Sequence, residues 1–227
     1  TTNGGINWVI SNQGFGNISD VAMPTRNLWY AVASNGSAYQ VGRKTENLTS
    51  ISVNLNIGIE GFWNGTTQVT DTVTVELRSS VSPYNVADVA QTVLTPGIGY
   101  GTYHFNSAPS GSYYIVVKHR NSLETWSALP VSMQAGSNHN YDFTSDGSQS
   151  YGSNSILKLG RYCVYSGDVN QDGLIDGTDL FLVDNDALAG VTGYVNTDLN
   201  GDGIVDGTDE MIADNNVFNY VMKMTPP

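Results

Sequence analysis

The sequence predicts a mainly β protein: a β-sandwich preceded by further strands and followed by a small C-terminal helical module. Three observations carry this. Only 13% of the 227 residues are charged, while Gly, Asn, Ser and Thr abound. That composition suits strands joined by polar turns better than helices with Glu- and Lys-rich surfaces. Ile51, Val53, Leu55, Ile57 and Ile59 alternate with other residues, the period of a strand with one buried face. Residues 168–189 recur at 198–219 without a gap, each copy an Asp-, Asn- and Gly-rich loop leading into a short helix.

Residues 1–46 read as strands from Ile18 to Met23, Leu28 to Ala33 and Ser37 to Val41, with a turn at Asn35-Gly36. Thr1-Thr2-Asn3-Gly4-Gly5-Ile6-Asn7-Trp8 resembles the Asp-box turn, Ser-x-Asp-x-Gly-x-Thr-Trp, of BNR-type β-propellers, with Asn3 and Asn7 at the Asp and Thr places. The resemblance implies one set of blade-like strands with a structural turn, and no sialidase active site. A propeller ring needs roughly four to eight blades. These strands are thus the last blade of a truncated propeller or a set that pairs elsewhere, and exposed edges recruit strands from other copies.

Residues 50–145 supply the sandwich. Val73, Val75 and Leu77 alternate after an Asn64-Gly65 turn. Tyr103 with Phe105 and the run from Tyr113 to Val117 give two more strands across Pro109-Ser110-Gly111, and Tyr141 to Thr144 closes the set. Short strands without an intervening helical period indicate an Ig-like or prealbumin-like sandwich. The segments from Gly101 to Phe105 and from Gly111 to Tyr113 resemble prealbumin-like modules of bacterial surface proteins. Residues 146–165 are a linker, Gly/Ser-rich at first, and a connecting strand from Ile156 to Tyr165. Residues 166–227 form the last module.

Charge is concentrated there. Residues 1–160 carry nine acidic and seven basic side chains, a balance of −2; residues 161–227 carry twelve and two, a balance of −10. A field of that sign repels phosphate backbones, which argues against nucleic acid. No run of 18 apolar residues exists to span a membrane. The single cysteine, Cys163 in Tyr162-Cys163-Val164-Tyr165, rules out an internal disulfide and reads as a buried thiol. A chain opening at Thr1-Thr2-Asn3 with no signal peptide reads as a processed or excised piece of a longer secreted protein.

The repeat carries the chemistry. Ten of its twenty-two aligned positions are identical, and both loops, 168–179 and 198–209, fit the twelve-residue calcium loop D-x-[DN]-x-[DN]-G with Asp at position 12. Calcium takes six to eight oxygens, and ligands at positions 1, 3 and 5 converge only if the chain wraps tightly. Gly173 and Gly203 at position 6 allow that bend. The expected ligands are Asp168, Asn170, Asp172, the carbonyl of Leu174, Asp176 through water, and Asp179; in the second loop they are Asp198, Asn200, Asp202, the carbonyl of Ile204, Asp206 and Asp209. Two calcium ions follow, with folding of the module coupled to their binding. Ile175 and Val205 at position 8 are expected to pack or pair between the loops.

Two duplicated loop–helix segments of this kind resemble a dockerin, an EF-hand-like module. The resemblance implies a secreted or cell-surface bacterial protein and a cohesin-like partner, read mostly through loop positions 10 and 11 and the following helix. Those positions are Gly177-Thr178 and Gly207-Thr208, followed by Asp184-Asn185 and Asp214-Asn215, where the basic residues familiar in that family are absent. Leu180, Phe181, Val183, Ala187, Leu188, Met211, Ile212, Val217 and Phe218 are read mainly as the small core.

His104, His119 and His139 show no ligand or nucleophile spacing, and Glu60, Glu76 and Glu124 are too scattered to argue for a glycosidase pair. Trp29, Trp63 and Trp126 are candidates for stacking on sugars. The reading is therefore a non-catalytic extracellular calcium-binding protein that mediates attachment or assembly through its C-terminal module. Two alternatives stand beside it: a fibre or tube subunit polymerising with copies of itself by strand exchange, and a polysaccharide-binding module of a larger secreted enzyme.

Overall fold

The computed structural model describes residues 50–227 and, before them, three strands: β1 (Ile18–Thr25), β2 (Leu28–Ser34) and β3 (Tyr39–Val41). These form an antiparallel sheet in the order β1-β2-β3 and belong to a compact unit spanning Thr1–Leu48. Residues 1–8, the turn at Asn35-Gly36 and the Trp29 side chain lie outside the described residues.

The second unit, Thr49–Pro227, holds both the sandwich and the C-terminal module. One sheet runs β11-β4-β7, from β4 (Ile51–Asn56), β7 (Tyr100–Phe105) and β11 (Asn138–Asp142), with β11 parallel to β4. The other runs β10-β8-β5-β6, from β5 (Thr72–Ser79), β6 (Val86–Val93), β8 (Gly111–His119) and β10 (Val131–Met133), and β9 (Ser122–Trp126) also pairs with β8. The inward residues interleave: Ile51, Val53 and Leu55 meet Val73, Val75, Leu77, Tyr103, Phe105, Ile115 and Val117 in one buried cluster. Each such side chain contributes about 1.5–3 kcal/mol through burial.

Several strands differ from expectation. The alternation through Ile59 outlasts β4, because Ile57 and Ile59 stay buried beyond the strand's end, where Ile59 bridges Val164 of the connecting segment in parallel. The two strands expected either side of Pro109-Ser110-Gly111 are present in different sheets: β7 pairs with β4 and β8 with β5, so the turn crosses between sheets. Nothing in the sequence pattern announces β6, β9 or β10. The edge strand β6 leaves Val86, Val89 and Val93 exposed, and β10 has three residues. Residues 146–165 contain two 3₁₀ turns, Gly147–Gln149 and Tyr151–Ser153, then a hairpin of β12 (Ile156–Lys158) and β13 (Arg161–Cys163), in place of one connecting strand. Cys163 is buried there, and burial pushes its thiol up to about 12.

The chain ends in α1 (Gly177–Ala189) and α2 (Gly207–Phe218). Val169, Val183, Leu199, Val205, Ile212 and Ala213 form a core between them. A separate cluster of Leu123, Ile175 and Val221, flanked by Tyr165 and Val217, joins the module to β9. Among the described residues no helix is long and apolar enough to cross a membrane.

Candidate metal centre

Each loop is drawn around its position-12 carboxylate. Asp179, fully buried, accepts from the backbone N–H groups of Val169 at 2.9 Å, Asn170 at 3.2 Å and Asp176 at 3.1 Å. Asp209 does the same for Leu199 at 2.7 Å, Asn200 at 3.0 Å and Asp206 at 3.0 Å. Asp176 and Asp206 cap the helices reciprocally, accepting from Thr178 N and Thr208 N at 2.7 and 2.8 Å. These capping boxes satisfy backbone donors that a helix leaves free at its first turn. Position 6 bends as the sequence requires, with φ of 90° at Gly173 and 85° at Gly203.

Positions 1 and 12 lie buried and positions 3, 5 and 9 at or near the surface. Within loop 1, the Asn170 amide accepts from Asp172 N at 2.9 Å, and the Asp172 carboxylate accepts from Leu174 N at 2.9 Å. Asn200, Asp202 and Ile204 repeat this at 2.8 and 2.9 Å. The ten acidic and amide side chains expected from the sequence thus lie in two loops that repeat the same hydrogen bonds. Among the described residues no three His, Cys, Asp or Glu side chains converge tightly enough to hold an ion unaided. In loops of this pattern an amide, a backbone carbonyl and water complete the oxygen set.

The donor set fits a hard cation on one further observation. Asp168 is 2% exposed, and its Oδ1 has no hydrogen-bond partner. Burial, with Asp179 alongside, raises its carboxyl to about 6. Burial likewise raises Asp179 and Asp209 against the backbone bonds that lower them. A buried acceptor without a donor, among carboxylates without a basic neighbour in the loop, is the electrostatic situation a bound cation relieves.

The loops do not pair with one another through Ile175 and Val205. Leu174 bridges Met222, with Ile175 N donating to Val221 O at 2.9 Å; Ile204 bridges Thr192, with Val205 N donating to Val191 O at 3.0 Å. Each loop therefore pairs with the segment following the other loop's helix, and the thirty-residue offset is kept. The expectation that the helical apolar residues mainly fill the core also needs correction. Phe181, Leu188, Met211 and Phe218 are exposed by 64%, 90%, 59% and 81%. Phe181 matches Met211 and Leu188 matches Phe218 at that same offset, and each pair on one helix lies seven residues apart along one face.

A second group had no local sequence signal. Arg120, after β8, reaches Asp71 at 2.9 Å, donates to the carbonyl of Val195 and donates to that of Asp198 at 3.1 Å. Asn121 Nδ2 donates to the same Asp198 carbonyl at 2.7 Å, and Tyr194 OH to Asp71 at 2.6 Å. His119, buried, lies 3.2 Å from Asp71. Burial would raise the Asp71 carboxyl, but the bonds from His119, Tyr194 and Arg120 hold it well below the usual range. Asn216 of α2 donates to Glu60 at 2.7 Å, completing a polar seam between sandwich and module.

The described chain is mainly β and ends in two loop–helix repeats with calcium-type spacing. Residues 166–217 match the Dockerin type I domain, and this C-terminal module is a dockerin. Dockerins of this type bind calcium and serve protein–protein attachment. No curated protein matches the chain. Two solved structures align with 74% of this chain over 94% of theirs, each at 19% identity. They are C-terminal and N-terminal interface mutants of a type II cohesin–X–dockerin complex from Acetivibrio cellulolyticus, with TM-scores of 0.43 and 0.41.

Proposed function

We propose that the chain is a non-catalytic, extracellular, calcium-dependent attachment protein that docks through its dockerin module onto a cohesin-like protein. Each loop binds one calcium ion through the six positions named for it, position 9 through water. The ion contributes charge compensation; the chain's own carboxylates, amides and capping boxes shape the loops and hold α1 and α2 in register. The observation that carries this reading is the duplicated exposed stripe, Phe181 with Leu188 and Met211 with Phe218. Large apolar side chains grouped on a soluble surface mark an interaction face. Glu76 and Glu124 are both engaged with Lys118, at 3.0 and 3.1 Å, which gives them a structural role. Trp126 is 3% exposed among Tyr84, Tyr114 and Tyr151, so it is not a sugar platform.

Titration calorimetry against a panel of recombinant cohesin domains tests the reading. Binding should occur in calcium, vanish with excess chelator, and weaken by about 2 kcal/mol or more when Phe181 and Met211 are both replaced by Asp. Unchanged affinity in that double variant would sink the proposed face.

A further inference from the structure

We propose that the outer face of the β11-β4-β7 sheet is a second binding site, and that its ligand is a neutral oligosaccharide. The inward residues of these strands fill the core, so the register decides what faces outward. Asn140, Asn54 and Thr102 stand side by side in one row, and Asp142, Asn56 and Tyr100 in the next. With Tyr141 at its rim this surface forms an open cleft of about 350 Å³, within the range of small-ligand sites.

Its chemistry selects the ligand class. Asn54 Nδ2 donates to Asn140 Oδ1 at 3.0 Å, Thr102 Oγ donates to Asn54 Oδ1 at 2.9 Å, and Asn56 Nδ2 donates to Asp142 Oδ2 at 3.1 Å. An amide carries two N–H donors and an oxygen with two lone pairs. These bonds orient the amides and leave donors and acceptors of both kinds unspent on an open surface. Sugar hydroxyls, each at once donor and acceptor, match such an alternating array, and the Tyr100 ring offers an apolar face to pyranose C–H groups.

Charge excludes other ligands. The cleft lining contains no Lys or Arg and one carboxylate, Asp142, so phosphates and acidic glycans find no counter-charge. A single carboxylate is too few for a hard cation site. An extended peptide would add to a strand edge through its backbone and not lie across a polar face. This site shares no residue with the dockerin loops, so its test is independent of the docking test.

Affinity electrophoresis of the full calcium-loaded chain through gels containing hydroxyethyl cellulose, arabinoxylan, glucomannan or laminarin tests the proposal. At least one polysaccharide should retard the protein. Asn54→Ala and Tyr100→Ala should each weaken that retardation about tenfold, equivalent to roughly 1.4 kcal/mol. Asn140→Ala, at an exposed position, should weaken it with an unchanged melting temperature, which separates binding from folding. Absence of retardation by all four polymers overturns the proposal. So does retardation that the three substitutions leave intact, or substitutions that alter only the melting temperature, which would make the amide rows cross-strand pairs of purely structural value.

Discussion

The two calcium loops are nearly the same in sequence and differ in what the rest of the molecule does to them. Loop 2 is gripped from the sandwich: its Asp198 carbonyl accepts from both Arg120 and Asn121, and its carboxylate lies 3.6 Å from the Arg120 guanidinium. Loop 1 has a weaker neighbour, Lys223, whose ammonium lies beside Gly173 but is 36% exposed and faces Glu124 at 3.7 Å. Its Asp168 keeps a buried oxygen without a donor, and its outer side is covered by the C-terminal tail, where Lys223 N donates to Gly173 O at 2.8 Å. The repeat supplies the same candidate ligands to both loops; the sandwich supplies a buried positive charge, Arg120, to the second. Loop 1 therefore depends more heavily on its ion.

The largest expected effect is removal of calcium. One saturating ion at a hundredfold excess over its dissociation constant stabilises by about 2.7 kcal/mol, so two contribute on the order of 5 kcal/mol. With excess chelator the helical circular-dichroism signal of α1 and α2 should fall and the melting temperature drop. Asp168→Ala should reproduce more of that loss than Asp198→Ala, and equal losses would break the asymmetry. Next comes Arg120→Ala, which removes the guanidinium from buried Asp71, strips the Val195 carbonyl of this donor and leaves the Asp198 carbonyl with Asn121 alone. Stripping one partner from a buried pair costs roughly 3–5 kcal/mol, readable by urea denaturation. A change below 1 kcal/mol would mean that the guanidinium does not hold the seam.

The two loops and their bends were legible in the sequence because a calcium-type pattern imposes a local spacing, and position 6 needs a residue free to take positive φ. The β4 and β5 cores were legible through alternation, and β8 through its unbroken apolar run from Tyr113 to Val117. The polar seam was not, because Arg120 and Asp198 are joined only by the fold, across 78 residues. Nor was the exposure of Phe181 and Leu188: a short amphipathic helix shows which residues are apolar, but not which of two faces the core takes. Both strands flanking Pro109-Ser110-Gly111 were legible but their sheets were not, since a Pro-Ser-Gly turn marks a reversal without saying in which sheet the chain resumes.

Position 4 sharpens the comparison at smaller scale. Both loops need left-handed backbone there, φ 62° at Gln171 and 75° at Gly201. Loop 1 tolerates a side chain because Gln171 reaches out to the Ser122 carbonyl at 3.3 Å. Loop 2 lies under Phe62, whose Cε1 would stand 2.5 Å from a Cβ at Gly201. Gly201→Ala should cost about 1–3 kcal/mol from overpacking, whereas Gln171→Gly should stay within about 0.5 kcal/mol. Paired thermal melts decide it, and similar costs at both sites would show that Phe62 yields to the extra methyl.

The smallest effect concerns acid at the seam beside loop 2. Burial lowers His119 against the opposing pull of Asp71, so the imidazole is neutral in the folded protein at pH 7. A depressed histidine contributes stability that is present above its unfolded value of about 6.5 and is lost as pH falls below it. Asp71, also depressed, contributes stability that is present above its unfolded value of about 3.9 and is lost as pH falls toward its folded value. Acid should thus loosen the seam in two stages, the first below about pH 6.5 and set by His119. Melting in saturating calcium should fall between pH 7 and pH 5, and His119→Gln should flatten that fall while keeping a donor toward Asp71. If the variant's profile matched the wild type's through this window, the neutral buried His119 would not be the source of the acid sensitivity.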